Sequence, residues 1–263
     1  MVKILLYKIS TYLKFFYNSK NHHGIHSPFV YNLVTKCFYD WTHKTEYDVL
    51  KAYRISLYQN KNFVEISEFG AGSQLFKSNR RQICKIAQTA GISESRAKLL
   101  FRIIRYFEPK NILEIGSSLG LATIAMSVAS KNGNIISLEG CPETAKNCKI
   151  QLQSFDVQNV ELRTTKFENY FKSPDFSRKN FDFVYFDGNH SESATMEYFN
   201  YLLPTITNNT IWIFDDIHWS NGMTNAWNII KKHPKVTVTI DTFQWGIVFF
   251  RIEQAKQNFV VRT

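Results

Sequence analysis

The fold is decided by the stretch Asn111-Ile-Leu-Glu114-Ile-Gly116-Ser-Ser-Leu-Gly120-Leu-Ala-Thr123. Its apolar beginning predicts a buried strand, and the small and apolar residues over 121–130 predict a helix directly after the glycine turn. A strand that passes through a glycine turn into a helix offers a ligand site at the carboxyl edge of a sheet. We expect Gly116 to open space for that ligand and Gly120 to allow close approach of helix and strand.

The glycine spacing separates two classes of nucleotide cofactor. A dinucleotide site uses G-x-G-x-x-G to cradle a pyrophosphate, whereas here Ser117, Ser118 and Leu119 separate the two glycines. Glu114 would repel a pyrophosphate, but it would favour a sulfonium ligand that carries a free amino group. The next predicted strand ends at Glu139, where a carboxylate can accept hydrogen bonds from both hydroxyls of a ribose.

These residues resemble the first motif of the class I S-adenosylmethionine-dependent methyltransferases, E-x-G-x-x-x-G with an acidic residue at the end of the second strand. The resemblance implies S-adenosylmethionine as the cofactor, with its ribose on Glu139 and its adenine near Cys141 and Phe167. The residues that we expect to hold it are Glu114, Gly116, Ser117, Ser118, Gly120, Glu139, Gly140, Cys141, Phe167 and Asp187.

The alternation of short apolar segments with helices continues from residue 111 towards the C-terminus. Strands are predicted over 111–115, 134–138, 160–163, 181–186, 211–214, 236–240 and 247–251, and helices over 121–130, 142–154 and 223–232. Buried strands joined by helices indicate a parallel sheet covered on both faces. We therefore predict an α/β fold with a doubly wound, mostly parallel seven-stranded sheet of the Rossmann-like methyltransferase type, within a catalytic domain over 79–263.

Residues 1–78 are predicted to form an N-terminal helical extension. Apolar residues at helical spacing predict a first helix over 2–17 and a second from Phe29 to about Tyr39. The aromatic and basic composition favours a lid, a homodimer element or a peripheral membrane contact. A chain that starts near Asn79 is accordingly expected to fold and to bind the cofactor. The turn Glu68-Phe-Gly-Ala-Gly-Ser73 imitates the first motif, but no strand ending in an acid follows it, so it is interpreted as a loop.

A second cluster of chemistry follows the fourth and fifth strands. Asp187 ends the strand over 181–186 with His190 three residues later, and Asp215-Asp216 follow the strand over 211–214. Parallel strands would bring these groups to one edge of the sheet, where three carboxylates repel one another unless a proton or a hard cation neutralises them. The sequence thus predicts a Mg²⁺ or Ca²⁺ site at Asp187, Asp215 and Asp216. The alternative is that these aspartates contact the cofactor or backbone amides.

This order of motifs resembles the cation-dependent O-methyltransferases of the catechol and caffeoyl-CoA type over roughly residues 90–252. The resemblance implies O-methylation of a small-molecule hydroxyl. We expect Asp187 and His190 to be the catalytic groups, on their position at the end of the fourth strand. Two positions depart from the family: His190 stands where a lysine is usual, and Asp216 stands where an asparagine is common. The identity of the general base is therefore left open.

Composition limits the remaining classes of function. The formal net charge of +10 favours acidic partners, so an RNA methyltransferase stays an alternative. Helices are predicted over 80–90 and 95–107. Residues 86–93 imitate the turn of a DNA-binding helix-turn-helix, but the helix over 95–107 leads into the catalytic strand. The Asp187-Gly-Asn-His segment lacks the tetrad typical of amino-methylating enzymes. Four cysteines without a CxxC pair indicate reduced thiols and a cytoplasmic protein.

Overall fold

The computed structural model describes residues 2–67 and 78–263. The helices are α1 (Val2–Asn18), α2 (Pro28–Leu33), α3 (Glu46–Gln59), α4 (Ile83–Thr89), α5 (Glu94–Phe107), α6 (Leu121–Ala129), α7 (Pro142–Ser154), α8 (Phe167–Phe171), α9 (Glu192–Leu202) and α10 (Asn221–Lys232). The strands are β1 (Phe63–Glu65), β2 (Arg80–Gln82), β3 (Asn111–Ile115), β4 (Asn134–Glu139), β5 (Val160–Thr164), β6 (Phe183–Phe186), β7 (Ile211–Asp215), β8 (Val238–Asp241), β9 (Trp245–Phe249) and β10 (Gln257–Val260). The predicted loop over 68–73 lies outside the described residues.

The main sheet confirms the predicted fold class, a doubly wound and mostly parallel α/β sheet. It has eight strands where seven were predicted, because β10 was not anticipated. That strand is polar and only partly buried, so it lacks the apolar run that marks the other strands. Strand β9 runs antiparallel to both of its neighbours, β7 and β8.

The chain divides into two compact units, one of Met1–Tyr39 with Lys179–Thr263 and the other of Asp40–Arg178. Neither boundary coincides with the predicted division between residues 78 and 79. The first 78 residues are instead shared between the units, so the catalytic domain predicted over 79–263 does not correspond to one of them. The reason is that residues 1–39 pack with residues 179–263, whereas helix α3 packs within the unit of residues 40–178.

In the unit of residues 40–178, β3 pairs with β4 and β4 with β5, all parallel. The predicted strand β3 is confirmed, and Ile112, Leu113 and Ile115 are completely buried. Helix α5 begins where the Ser93 hydroxyl accepts a hydrogen bond from the Arg96 amide, as a helix N-cap does. The helix predicted over 80–90 is partly wrong: Arg80–Gln82 forms β2, which pairs antiparallel with β1, and only Ile83–Thr89 is helical.

Helix α3 belongs to the core of the same unit, although the sequence analysis did not identify it. Its buried residues Tyr47, Leu50, Tyr53 and Leu57 recur at helical spacing. The ring of Tyr47 meets that of Phe101 edge to face, with centroids 5.3 Å apart. Residues within the predicted N-terminal extension are thus part of the packing around the glycine turn.

In the unit of residues 1–39 and 179–263, the strands lie in the order β6, β7, β9, β8, β10. The first helix is confirmed, with α1 over Val2–Asn18. The second begins at Pro28, where the Ser27 hydroxyl accepts from the Val30 amide, and continues as a π-helix over Val34–Phe38. This N-terminal segment is bonded to the strands of its unit, because the Lys20 amide donates to Val260 O at 2.8 Å. Within residues 2–67 and 78–263, no helix is both long and apolar enough to cross a membrane.

Candidate active site

Glu114 lies at the centre of the predicted cofactor motif and is completely buried. Its Oε2 accepts hydrogen bonds from Thr123 Oγ1 at 2.6 Å and from the Ser137 hydroxyl. In the described part of the chain, Oε1 has no hydrogen-bond partner. Burial raises the pKa of Glu114 to about 7, assisted by the charge of Glu139 and opposed by the bonds from Ser137 and Thr123. A buried acceptor without a partner is costly unless a ligand satisfies it.

The glycine turn after β3 has the backbone conformation that the sequence predicts. Gly116 has a φ of 101°, in the region that favours glycine, and its amide and that of Ser117 both donate to Leu138 O, at 2.9 and 3.1 Å. Ser118 also has a positive φ of 47°. The turn is therefore fixed against the end of β4 by its own amides.

Gly120 allows a different close approach from the one predicted. A side chain on Gly120 would place its Cβ 2.5 Å from the Tyr53 hydroxyl oxygen and 3.0 Å from Cys148 Sγ. The close neighbours of Gly120 are thus side chains of α3 and α7. Its φ of 81° adds a second reason for glycine at this position.

Glu139 holds the turn at the end of β4. Its Oε2 accepts from the Ser118 amide and its Oε1 from the Cys141 amide, both at 2.9 Å. Burial raises the pKa of Glu139, while the amides of Cys141, Ser118 and Gly140 favour the carboxylate. Each carboxylate oxygen can accept a further hydrogen bond, so the group still fits the two hydroxyls of a ribose.

The other predicted cofactor residues differ in what they can offer. Ser117 is buried, and its hydroxyl is bonded to Ser137 and to Leu138 O. Cys141 is only 3% exposed, and its Sγ lies 3.3 Å from the Ser67 amide and 3.5 Å from Glu65 O. Both side chains are thus engaged within the protein, and the amides of both residues also donate hydrogen bonds within it, to Leu138 O and to Glu139. Phe167, at the start of α8, is half-buried.

Two polar residues around Glu114 were not predicted, namely Thr123 and Ser137. Both are completely buried, and both hydrogen-bond the same carboxylate oxygen. Ser137 had a signal in the sequence, because it interrupts the apolar run Ile135-Ile136 to Leu138 within a buried strand. A buried hydroxyl in a strand needs a partner, and Glu114 on the neighbouring strand supplies one.

The acidic residues of the other unit follow β6 and β7, as predicted. Asp215 is 4% exposed; its Oδ2 accepts from the Tyr185 hydroxyl at 3.3 Å and its Oδ1 from the Asp216 amide at 2.8 Å. Burial raises the pKa of Asp187 well above its ordinary value, and the charges of Asp215 and Asp216 add to the effect. The three carboxylates are thus close enough to repel one another.

His190 faces this cluster. Its Nε2 lies 3.4 Å from Asp187 Oδ1. Burial lowers the pKa of His190, but the bond to Asp187 and the charges of Asp187, Asp216 and Asp215 outweigh it and raise the pKa to about 9. At neutral pH the imidazolium form is therefore favoured, and it offsets part of the negative charge.

The predicted metal site was assigned to Asp187, Asp215 and Asp216. Among the described residues, no group of three or more His, Cys, Asp or Glu side chains is placed to hold a metal ion. Both oxygens of Asp215 already accept hydrogen bonds from the protein. Each of these oxygens keeps a further lone pair, so the assignment of Mg²⁺ or Ca²⁺ to Asp187, Asp215 and Asp216 stays a prediction.

A further polar pair in this unit was missed by the sequence analysis. His218 Nε2 lies 2.8 Å from Asp241 Oδ2, and Trp227 Nε1 donates to the same oxygen at 3.2 Å. The ring of His218 stacks on Phe243 with centroids 5.5 Å apart. Nothing local in the sequence links His218 to Asp241, since the two residues belong to different segments.

The doubly wound sheet, the glycine turn after β3 and the acid that ends β4 define the fold of a class I S-adenosylmethionine-dependent methyltransferase. Residues 113–217 match a family model described as a methyltransferase domain. The chain thus resembles the O-methyltransferases of this class, which confirms the resemblance drawn from the motifs. A comparison of the sequence with curated proteins finds no significant match.

Several solved structures share this fold. A methyltransferase from Podospora anserina with bound S-adenosylhomocysteine has a TM-score of 0.59 and 14% identity, over 86% of this chain and 97% of that one. An O-methyltransferase from Bacillus cereus, in complex with the same ligand, has a TM-score of 0.54 and 16% identity, over 83% and 96%. An O-methyltransferase from Streptomyces achromogenes, involved in tomaymycin synthesis and in complex with S-adenosylmethionine, has a TM-score of 0.56 and 14% identity, over 83% and 95%.

Proposed function

We propose that this protein transfers a methyl group from S-adenosylmethionine to a hydroxyl group of a small acceptor molecule. The observation that carries the proposal is the buried Oε1 of Glu114, which has no partner among the described residues and lies beside a glycine turn. The ammonium group of the cofactor's amino-acid end would satisfy it. The neighbouring Glu139 supplies the acceptor for the ribose, so the two acids fit opposite ends of one ligand.

The cofactor supplies a methyl group on a positively charged sulfur. Glu114 and Glu139 favour that positive ligand over a pyrophosphate, because both lie within or beside the turn where a dinucleotide would place its phosphates. Gly116 leaves the space above β3 open, since it has no side chain. These residues bind and orient the donor, and orientation for an in-line attack supplies a large part of the acceleration.

For the acceptor we propose Asp187 and His190 as the groups that receive the hydroxyl proton. As the acceptor oxygen forms its bond to the methyl carbon, the bond from that carbon to sulfur breaks and its electron pair stays on sulfur. The proton of the hydroxyl passes to the His190–Asp187 pair, whose imidazole is then held as the imidazolium by the facing carboxylates. Because the pKa of His190 is about 9, the fraction of His190 that is deprotonated and can act as a base increases as the pH rises towards that value.

The proposal is tested in two assays on the full chain. Calorimetry should show binding of S-adenosylhomocysteine and no binding of NAD. Labelled S-adenosylmethionine should then transfer its methyl group to members of a pool of phenolic and aliphatic hydroxyl compounds. Transfer to RNA but to none of these compounds would favour the alternative that the net charge of +10 suggests.

A further inference from the structure

Helix α1 has two faces, and among the described residues of its unit only one of them packs on the protein. On the inner face, the Tyr7 hydroxyl donates to Ser220 O at 3.1 Å and lies 2.6 Å from Thr224 Oγ1. Phe15 is 8% exposed and its ring centroid is 5.4 Å from that of Phe243. These contacts fix the orientation of the helix within its unit.

The outer face of α1 consists of large apolar side chains that point away from this packing. Its members and their exposed fractions are Leu6 at 60%, Ile9 at 48%, Leu13 at 61%, Phe16 at 52% and Tyr17 at 90%. They recur at helical spacing, so they form one continuous stripe along the helix. A contiguous apolar surface of this kind marks an interaction site rather than ordinary surface.

Cationic side chains lie beside the outer face. Residues 1–39 contain the lysines Lys3, Lys8, Lys14, Lys20 and Lys36 and no aspartate or glutamate. Lys14 is exposed and acts electrostatically on Lys231, next to Lys232 at the end of α10. The guanidinium of Arg262 lies 5.0 Å from the ring centroid of Phe16. An apolar stripe is thus bordered by cations from α1, α10 and the C-terminal segment.

We infer that the outer face of α1 docks on an anionic lipid surface. An interfacial helix buries an apolar stripe at the level of the acyl chains while flanking lysines and arginines meet the negative headgroups. The exposed side chains of Lys14 and Arg262 beside the stripe match that chemistry. A second copy of the chain would bring the same cations against one another, which like-charge repulsion disfavours. This inference does not depend on the proposed methyl transfer.

The inner face of α1 contacts the segment next to the acidic cluster of the same unit. Lys8 Nζ lies 3.3 Å from the ring centroid of Trp219, three residues after Asp216. Burial lowers the pKa of Lys8, and the charge of Asp216 opposes this effect. The face of α1 opposite the apolar stripe thus contacts the segment that follows β7.

The test is flotation of the full chain with vesicles of two compositions. The protein should float with vesicles made of equal parts phosphatidylglycerol and phosphatidylcholine, and much less with phosphatidylcholine alone. Added salt should weaken binding, because it screens the cationic border. Leu13→Glu should lower the vesicle affinity about tenfold or more, and Lys14→Glu roughly tenfold.

Matched controls lie on the exposed surface of α7 in the other unit. Ile150 is 56% exposed and Lys149 beside it is also exposed, so Ile150→Glu and Lys149→Glu make the same chemical changes away from α1. Both should bind vesicles like the unaltered protein. Circular dichroism should show that all four variants are folded. Absence of flotation with the mixed vesicles would overturn the inference, as would a dimer in sedimentation experiments that Leu13→Glu converts to a monomer.

Discussion

The Tyr53 hydroxyl donates a hydrogen bond of 2.9 Å to the carbonyl oxygen of Leu119, at the point where the glycine turn enters α6. The same hydroxyl occupies the space that a side chain on Gly120 would need. Tyr53 is completely buried, and its ring centroid is 5.0 Å from that of Phe155. Helix α3 is thus a structural support of the cofactor turn, even though it precedes the predicted catalytic domain.

The first prediction concerns the stability contributed by α3. Tyr53→Ala removes a buried ring and a hydrogen bond, so urea denaturation should show a loss of about 3–5 kcal/mol in the free energy of unfolding. Tyr58→Ala, on the same helix, is the matched control, because Tyr58 is 37% exposed. Its effect should stay within about 0.5 kcal/mol. Equal effects of the two substitutions would contradict the role assigned to Tyr53.

A related prediction revises the expectation that a chain starting at Asn79 folds by itself. Removing residues 1–78 deletes α3 and also Val30, Leu33, Val34 and Phe38, all completely buried. Large apolar surfaces in both units would then be exposed to water, so we expect loss of cooperative unfolding and of cofactor binding. Circular dichroism melting curves and calorimetry with S-adenosylhomocysteine check this outcome. A cooperative, ligand-binding fragment would restore the original domain boundary.

Another prediction concerns the protonation of Glu114. Its ordinary pKa of 4.5 is raised to about 7 in the folded protein. Between these values the folded state holds a proton that the unfolded state has lost, so stability should fall as the pH rises from about 4.5 to 7. A cationic amino group prefers the carboxylate, so the affinity for S-adenosylhomocysteine should rise over the upper part of the same interval.

Glu114→Gln distinguishes the effects of Glu114 titration on stability and cofactor affinity from general effects of pH on the protein. The substitution keeps the shape but removes the titration, so cofactor affinity should fall and lose its dependence on pH near 7. Glu143→Gln, at an exposed position of α7, should leave both quantities unchanged. Calorimetry at pH 6 and pH 8 measures the difference. A pH dependence that persists in Glu114→Gln would show that another group controls binding.

The sequence predicted what depends on local pattern. The apolar runs of β3, β4, β6 and β7 identified the sheet, and the glycine spacing identified the turn. The segment Arg80–Gln82 was interpreted as helix because its strand conformation comes from pairing with Phe63–Glu65, which is distant in sequence. Helix α9 over Glu192–Leu202 was overlooked although Ser191 caps it and its buried positions have helical spacing. Its signal was present in the sequence.

At the site, the local sequence pattern was sufficient to predict the acidic residues but not to predict their hydrogen-bond partners. Glu114, Glu139, Asp187 and Asp215 were found because each ends or interrupts an apolar strand. The bond from Tyr53 and the pairing of His218 with Asp241 depend on tertiary packing, which a single sequence does not encode in its spacing. The sequence also does not reveal that both oxygens of Asp215 accept hydrogen bonds from the protein, and these bonds bear directly on the predicted metal site.

A further prediction concerns His190 as the proton acceptor. Because its pKa is raised to about 9, the turnover number should rise with pH towards that value. The stability that the protonated ring contributes should be present below its ordinary pKa of 6.5 and should be lost as the pH passes 9. His190→Gln should lower turnover about 10²–10⁴-fold with little change in cofactor affinity. His43→Gln, on a side chain that is 67% exposed, is the control. An unchanged pH profile in His190→Gln would exclude it as the base.

The last prediction decides what the carboxylates of Asp187, Asp215 and Asp216 do. If the protein acts without a metal, activity should persist in excess chelator, because the imidazolium of His190 and protons neutralise the cluster. Asp215→Asn keeps an acceptor for the Tyr185 hydroxyl but removes one negative charge, so it should lower the pKa of His190 and move the rising limb of the pH–rate profile to lower pH. Cofactor affinity should be nearly unchanged, since Asp215 is not among the expected cofactor residues. A metal-dependent enzyme would behave differently: activity would require Mg²⁺ and would fall on chelation, and Asp215→Asn would abolish turnover at every pH. Measuring turnover, its pH profile and cofactor affinity on this one variant, with and without chelator, distinguishes a proton-neutralised cluster from a cation site.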